Sequence, residues 1–263
     1  MTSSQESHLL GENIILAVRS LLFLTGMILS VIIWAPAILS AFFLSFEHRY
    51  RTAQQWSRFI IWWLNKTCKI KYQISGLENI PPGPAIIVAK HQSAWETVFL
   101  QQFMPPLAWV VKRELLWVPF FGWALATLNP IAINRKTPSS ALKQILRKGE
   151  VCLAQKRWVL IFPEGTRTAP GCRSTYGASG ALLAVNSGYP ILPIAHNAGE
   201  YWPRRGFLKR PGTIQLVFGP PIISVGRKAK ELNAFVENWI ETTMSRISDT
   251  SVQPGQTNSK KTA

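Results

Sequence analysis

The chain has 263 residues, a formal net charge of +16 and 47% hydrophobic residues. That suits one ordinary domain plus surplus apolar sequence, and so basic a chain is drawn to polyanions: nucleic acid, anionic lipid headgroups, or an acidic carrier or phosphorylated substrate. No zinc-finger spacing and no RNP-type module is present, which argues against nucleic acid; Cys68, Cys152 and Cys172 form no CxxC or Cys/His pattern and the four histidines are scattered, so reduced thiols and no metal site are expected.

The N-terminal region carries the surplus. From Ser20 to Phe46 the sequence "SLLFLTGMILSVIIWAPAILSAFFLSF" has no charged residue. As one helix it would extend about 40 Å, more than the roughly 30 Å of a bilayer's hydrocarbon layer. It is too long for a signal peptide's apolar region and ends without a clear small-residue cleavage site, so it is expected to remain as a membrane anchor. Two geometries compete: one tilted helix bent at Pro36, or a second helical piece beginning at Pro36 and folding back within one leaflet. The following "HRYRTAQQWSRFIIWWLNKTCKIK" mixes arginine and lysine with Trp56, Trp62 and Trp63, a composition of the headgroup layer. Positive charge after the apolar run places the remaining chain on the cytoplasmic side.

From about Tyr72 short β-like runs alternate with helical patterns. The strands expected are "AIIVAK", "LAWVVK", "PIAINR", "WVLIFP", "PILPIAH" and "TIQLVFG"; the helices are "AWETVFLQQF", "FFGWALATL", "SSALKQILRKGEVCLAQ" and "GASGALLAVNSG". The alternation predicts an α/β domain with a mostly parallel central sheet flanked by helices. A last amphipathic helix is expected over Lys228 to Ile247, with Leu232, Phe235, Val236, Trp239, Ile240, Met244 and Ile247 on its apolar stripe. The organisation is thus an anchoring region at 1–71, a catalytic domain at 72–248 and a polar tail at 249–263, expected to be disordered.

Two stretches carry candidate chemistry. In "KHQSAWET", His91 and Glu96 stand five positions apart, which on an unbroken helix leaves them roughly 140° apart around the axis. A strand ending near Lys90 and a helix capped by Ser93 put a turn between them, so the carboxylate can face the imidazole. Ser93 to Glu96 also fits a capping box, which alone accounts for the glutamate. If they meet, the carboxylate fixes the ring's tautomer and stabilises the imidazolium, as a general base requires. In "FPEGTRT", Glu164, Gly165, Thr166 and Arg167 follow the apolar run "WVLI", at the sheet edge where ligands of open α/β folds bind, and the arginine fork suits phosphate. Arg135 ends another strand and offers a second cation at that edge, and Lys112 stands in an equivalent position.

The order of these blocks, with "PILPIAH" after them, resembles the glycerolipid acyltransferase family and, within it, bacterial lysophosphatidic acid acyltransferases. The likeness spans roughly Pro84 to Asn197, and "FPEGTR" is its most specific part. The family's first motif has aspartate where this chain has Glu96. The resemblance implies that His91 acts as base on a glycerol hydroxyl, oriented by Glu96, with the hydroxyl attacking an acyl thioester directly. It implies that Arg135, Glu164, Gly165, Thr166 and Arg167 surround the glycerol phosphate. Lys112 would assist at the phosphate or the thioester carbonyl, and Pro193 with its neighbours would shape the pocket. The co-substrate implied is acyl carrier protein (acyl-ACP) or coenzyme A thioester (acyl-CoA), with no cofactor and no metal. The partners implied are lysophosphatidic acid and anionic membrane lipids, not nucleic acid, at a bacterial inner membrane. Glycerol 3-phosphate or a lyso-ornithine lipid as acceptor, and a non-catalytic lipid-binding protein, are the alternatives.

Overall fold

The computed structural model describes residues 3–248; the tail expected to be disordered lies outside them. The first helix, α1 (Ser3–Ser40), runs unbroken through Pro36, and a single turn at Ala41–Phe43 reverses the chain into α2 (Phe46–Cys68). The helix thus passes through Pro36 in one piece, and no second helical piece begins there. The chain does fold back, but at residues 41–45, where Ser45 and the backbone of the turn take over from the helix. From Gly11 to Ser40 the helix is long and apolar enough to cross a membrane, and little of it is buried by protein.

The two helices lie antiparallel. Indole N–H groups of α2 reach across: Trp56 donates to Ser30 Oγ at 3.0 Å and Trp63 to the Leu22 carbonyl at 3.3 Å. Gly26 permits that approach, since a Cβ there would sit 2.1 Å from Trp63 Nε1. An adjoining stripe of α2, with Tyr50, Ala53, Ser57, Ile60, Ile61 and Leu64, is buried at helical spacing. It packs on the domain through α3 (Trp95–Phe103).

The domain is one seven-stranded sheet: β1 (Ile70–Ser75), β2 (Ile86–Ala89), β3 (Leu107–Lys112), β4 (Ile131–Ile133), β5 (Trp158–Ile161), β6 (Ile191–His196) and β7 (Gly212–Phe218). The spatial order is β1-β7-β6-β2-β5-β3-β4; β6 and β7 are antiparallel and all other neighbours parallel. The six expected strands are present. β1 was not anticipated; it begins at Ile70, two residues before the expected domain start. It is an edge strand, exposed along most of its length, and "IKYQIS" lacks the continuous apolar run of the central strands.

Central strands are buried on both faces, which explains "AIIV" and "WVLI". Along β2, Ile87 and Ala89 join the core shared with α1, α2 and α3, while Ile86 and Val88 join the opposite core. That second layer consists of α5 (Pro138–Ala154), α6 (Ser179–Ser187) and α8 (Ala229–Ile247). Helix α4 (Phe121–Ala126), which precedes α5, contacts α1, and the one-turn α7 (Ala198–Tyr201) lies between α6 and α8 in sequence. The α1–α4 side of the sheet carries the site.

Candidate active site

The turn after β2 brings His91 and Glu96 together. His91 Nδ1 lies 2.9 Å from Glu96 Oε1, and the same oxygen accepts the backbone N–H of Gln92 at 3.0 Å and of Ser93 at 2.9 Å. Trp95 N–H in turn donates to Ser93 Oγ at 3.2 Å, so the capping box and the histidine contact coexist on one carboxylate. Glu96 is fully buried. Burial alone would push its carboxyl up, but His196, the His91 hydrogen bond and charge, and the Ser93 amide outweigh that and hold it below the usual carboxylate range. An ionised Glu96 at Nδ1 leaves the Nε2 lone pair of His91 free. The ring stacks on Phe162, centroids 3.9 Å apart and planes within 14°, which fixes its remaining rotation.

The turn after β5 is fastened to the same backbone. Glu164 Oε2 accepts the N–H of His91 at 2.7 Å; the N–H of Thr168 donates to the His91 carbonyl at 2.8 Å, and its hydroxyl donates to Glu164 Oε1 at 3.1 Å. Gly165 adopts a left-handed φ of +67°, which lets the chain reverse between these anchors. Its carbonyl accepts a hydrogen bond from the Arg135 guanidinium, tying the end of β4 to this turn.

Beneath lies a buried charge network that the sequence patterns did not reveal. Lys90 Nζ sits 2.8 Å from both Glu164 Oε1 and Glu241 Oε1 on α8, and Tyr176 donates to Glu241 at 2.8 Å. Burial presses the Lys90 ammonium down, but the two carboxylates overcome it and hold Lys90 charged. Its signals were present: a lysine ending a fully apolar strand, and a glutamate next to Ile240 on the apolar stripe of the last helix.

A second histidine was also passed over. His196, at the end of β6, is fully buried; its Nε2–H donates to the Lys90 carbonyl at 2.8 Å, and Nδ1 accepts the Ala198 N–H at 3.3 Å. That pattern is the neutral ring, in keeping with burial holding its pKa below the usual value against the pull of Glu96. Stability is therefore expected to fall on the acid side. His196 has a depressed folded pKa, so its contribution is complete above about 6.5 and is lost as pH falls through the folded value; that of Glu96 is complete above about 4.5 and is lost in the same direction. Denaturant unfolding in detergent from pH 8 to 5 should show a plateau, then a decline, with a shallower decline in His196→Gln.

The sequence-predicted residues gather around one cavity of about 670 Å³. Its polar end holds His91, Lys112, Arg135 and Arg167, and its apolar length runs along Met27, Val31 and Ile38 of α1. Lys112 is half exposed, 3.9 Å from Glu114. Gly165 and Thr166 are exposed on the turn, and Glu164 turns inward to Lys90 instead of toward the cavity. Pro193 is buried in β6, where its carbonyl accepts the Gly219 N–H at 2.9 Å.

A family model described as Acyltransferase matches residues 71–197, the stretch that contains every one of these turns. A curated relative, the 1-acyl-sn-glycerol-3-phosphate acyltransferase of Pseudomonas aeruginosa, is 50% identical over 237 residues, covering 88% of this chain and 92% of the relative. The chain belongs to the glycerolipid acyltransferase family. Among other family members, the mouse 1-acyl-sn-glycerol-3-phosphate acyltransferase alpha is 28% identical over 64% of this chain and 61% of its own. The solved 1-acyl-sn-glycerophosphate acyltransferase PlsC of Thermotoga maritima shares the fold, with a TM-score of 0.74 at 22% identity over 87% of this chain and 94% of that one. In this acyltransferase His91, bonded through Nδ1 to Glu96, lines the same cavity as Lys112, Arg135 and Arg167, and most of the other lining residues are apolar.

Proposed function

We propose that the protein transfers a fatty acyl group from an acyl-ACP or acyl-CoA thioester to the free sn-2 hydroxyl of lysophosphatidic acid, giving phosphatidic acid. One observation carries this reading: His91, Arg135 and Arg167 line a single cavity whose remaining lining is mostly apolar. An apolar interior of that size favours a lipid acceptor over glycerol 3-phosphate, and two guanidinium groups favour a phosphate over an ornithine headgroup.

In the proposed reaction His91 Nε2 takes the proton of the acceptor hydroxyl as its oxygen attacks the thioester carbonyl carbon. Glu96, held at Nδ1, stabilises the imidazolium that forms. The tetrahedral intermediate collapses with cleavage of the C–S bond, and the departing thiolate takes the proton from His91. The acceptor hydroxyl becomes an ester, the thioester releases its thiol, and no group on the protein is acylated. Arg135 and Arg167 hold the phosphate, and Lys112 adds charge at the same mouth. Glu164 serves as a positioning residue through the His91 amide and Lys90.

Arg167→Ala should raise KM for lysophosphatidic acid about tenfold or more while leaving KM for the thioester little changed, since a lost charge-assisted bond to phosphate costs about 1.5–3 kcal/mol. Steady-state kinetics with each substrate varied in turn checks this. The membrane setting proposed is a bacterial inner membrane with the domain facing the cytoplasm, where the basic surface meets anionic lipid and an acidic carrier. The reading as a whole is tested by giving the purified protein in detergent a labelled acyl thioester with a panel of acceptors. Label should pass to lysophosphatidic acid far faster than to glycerol 3-phosphate or lyso-ornithine lipid; transfer to none of them would remove it.

A further inference from the structure

Residues 113–123 present large apolar side chains on two sides. Outward, Trp117 is 67%, Trp123 48% and Phe120 44% exposed. Leu115, Val118, Phe121, Ala124 and Leu125 of this stretch and its continuation into α4 line the cavity that holds His91, and of these Leu115 and Val118 also remain open to the surface. The stretch is thus the wall between the cavity and whatever surrounds the protein.

Its shape is fixed. Gly122 is wedged against the carbonyls of Leu115 and Leu116, where a Cβ would lie 2.5 and 2.6 Å away. Phe120 takes φ +60°, ψ −63°, a strained conformation for a residue with a side chain, and it turns the ring outward. The Phe121 N–H bonds Pro119 at 2.7 Å and the Gly122 N–H bonds Val118 at 2.7 Å. A tight, strained turn that displays aromatics is a built feature, and exposed aromatic patches on domains mark interaction surfaces.

Lipid is the occupant its surroundings select. Helix α4 packs on α1, and Phe121 contacts Trp56 of α2 with rings 6.0 Å apart, so the patch borders the apolar hairpin. On α1 Ile28, Ile32 and Ile33 are more than half exposed, in the stretch long and apolar enough to cross a membrane. Lys112 and Arg113 flank the aromatics, with the Arg113 guanidinium 6.0 Å from the Trp117 ring centroid. Indoles beside basic residues are the composition of a headgroup boundary. We propose that residues 113–123 are a second lipid-contacting element, carried by the catalytic domain itself, past which a lipid substrate moves from the leaflet into the cavity. The passage of substrate rests on the lysophosphatidic acid reading; the lipid contact does not.

The experiment has two arms in phosphatidylethanolamine–phosphatidylglycerol vesicles. In the first, Trp117→Gln/Trp123→Gln, neither of which lines the cavity, is compared with the parent on two acceptors. Transfer to oleoyl lysophosphatidic acid in vesicles should fall about tenfold, with transfer to monomerically dispersed hexanoyl lysophosphatidic acid and the thermal midpoint unchanged. Equal rates for variant and parent in vesicles, or equal losses on both acceptors, would overturn the proposed passage. In the second arm a fluorophore is placed on Trp117→Cys, and separately on Lys148→Cys of α5, in a Cys172→Ser background, since Cys68 and Cys152 are buried. Lipid-chain nitroxides should quench the label at 117 and spare the one at 148. A label at 117 that is not quenched overturns the contact, and a shift in elution volume on mutation would reassign the patch to a second copy of the chain. This arm needs no turnover, so a quenched label on an inactive protein would keep the lipid contact and defeat the acyl-transfer reading alone.

Discussion

His91→Ala is expected to lower kcat about 10³-fold, the usual loss when a positioned general base is removed, with membrane association and folding retained. The expectation of a catalytic and not a structural loss comes from what holds the turn. The anchors of this segment are backbone groups: the His91 N–H to Glu164, the His91 carbonyl to Thr168, and the Gln92 and Ser93 amides to Glu96. All of them survive removal of the imidazole. What is lost is the ring itself, with its free Nε2, its Nδ1 hydrogen bond to Glu96 and its stacked contact with Phe162. Turnover assays beside thermal melts of the purified variant check the separation, and parental kcat in His91→Ala would take the ring out of the chemistry.

Lys90→Met is expected to have the largest effect on stability. Lys90 is 1% exposed and lies between two carboxylates that no longer have a buried cation once it is gone. Breaking a buried ion pair by removing one partner costs about 3–5 kcal/mol, because the remaining charge stays desolvated. Arg173, 3.4 Å from Glu241 Oε2, is largely exposed and compensates only in part. Melting should drop by about 10 °C for a chain of this size. The pH dependence carries the signature. Burial already holds the Glu164 carboxyl above the usual carboxylate range against the pull of Lys90, and without the ammonium that pull is gone, so the variant should approach the parent as pH falls and Glu164 takes up a proton. Adding Glu241→Gln to Lys90→Met should restore a large part of the lost stability; a double variant no better than the single would mean the loss is one of packing.

These two residues also mark where the sequence was informative. The central strands were legible because burial on both faces demands continuous apolar runs such as "AIIV" and "WVLI", while "TIQLVF" was legible by alternation, its strand burying every second residue. The pairing of His91 with Glu96 was legible because five residues spaced across a strand-to-helix turn leave few geometries, and the capping pattern gave the turn its place. Arg135 and Arg167 were legible as strand-terminal cations at one sheet edge. Lys90 and Glu241 were not, since they lie 151 positions apart and only the fold brings them to 2.8 Å. His196 was hidden for the same reason: its partners are the Lys90 carbonyl and Glu96, from a neighbouring strand and its turn. A fold-back at Pro36 was one of the two geometries expected because proline draws attention as a breaker, whereas an otherwise apolar helix continues past it and the chain reverses at residues 41–45. Edge strand β1 escaped because solvent on one side removes the apolar run that betrays its neighbours.

The direct attack of an acceptor hydroxyl, with His91 as the only group that handles its proton, is tested most directly by following thiol release from an acyl thioester labelled in its acyl chain. With thioester alone, the purified protein should release almost no thiol and carry no label. On addition of lysophosphatidic acid, one thiol should appear for each phosphatidic acid formed. A stoichiometric burst of thiol without acceptor, with label bound to the protein, would contradict the account.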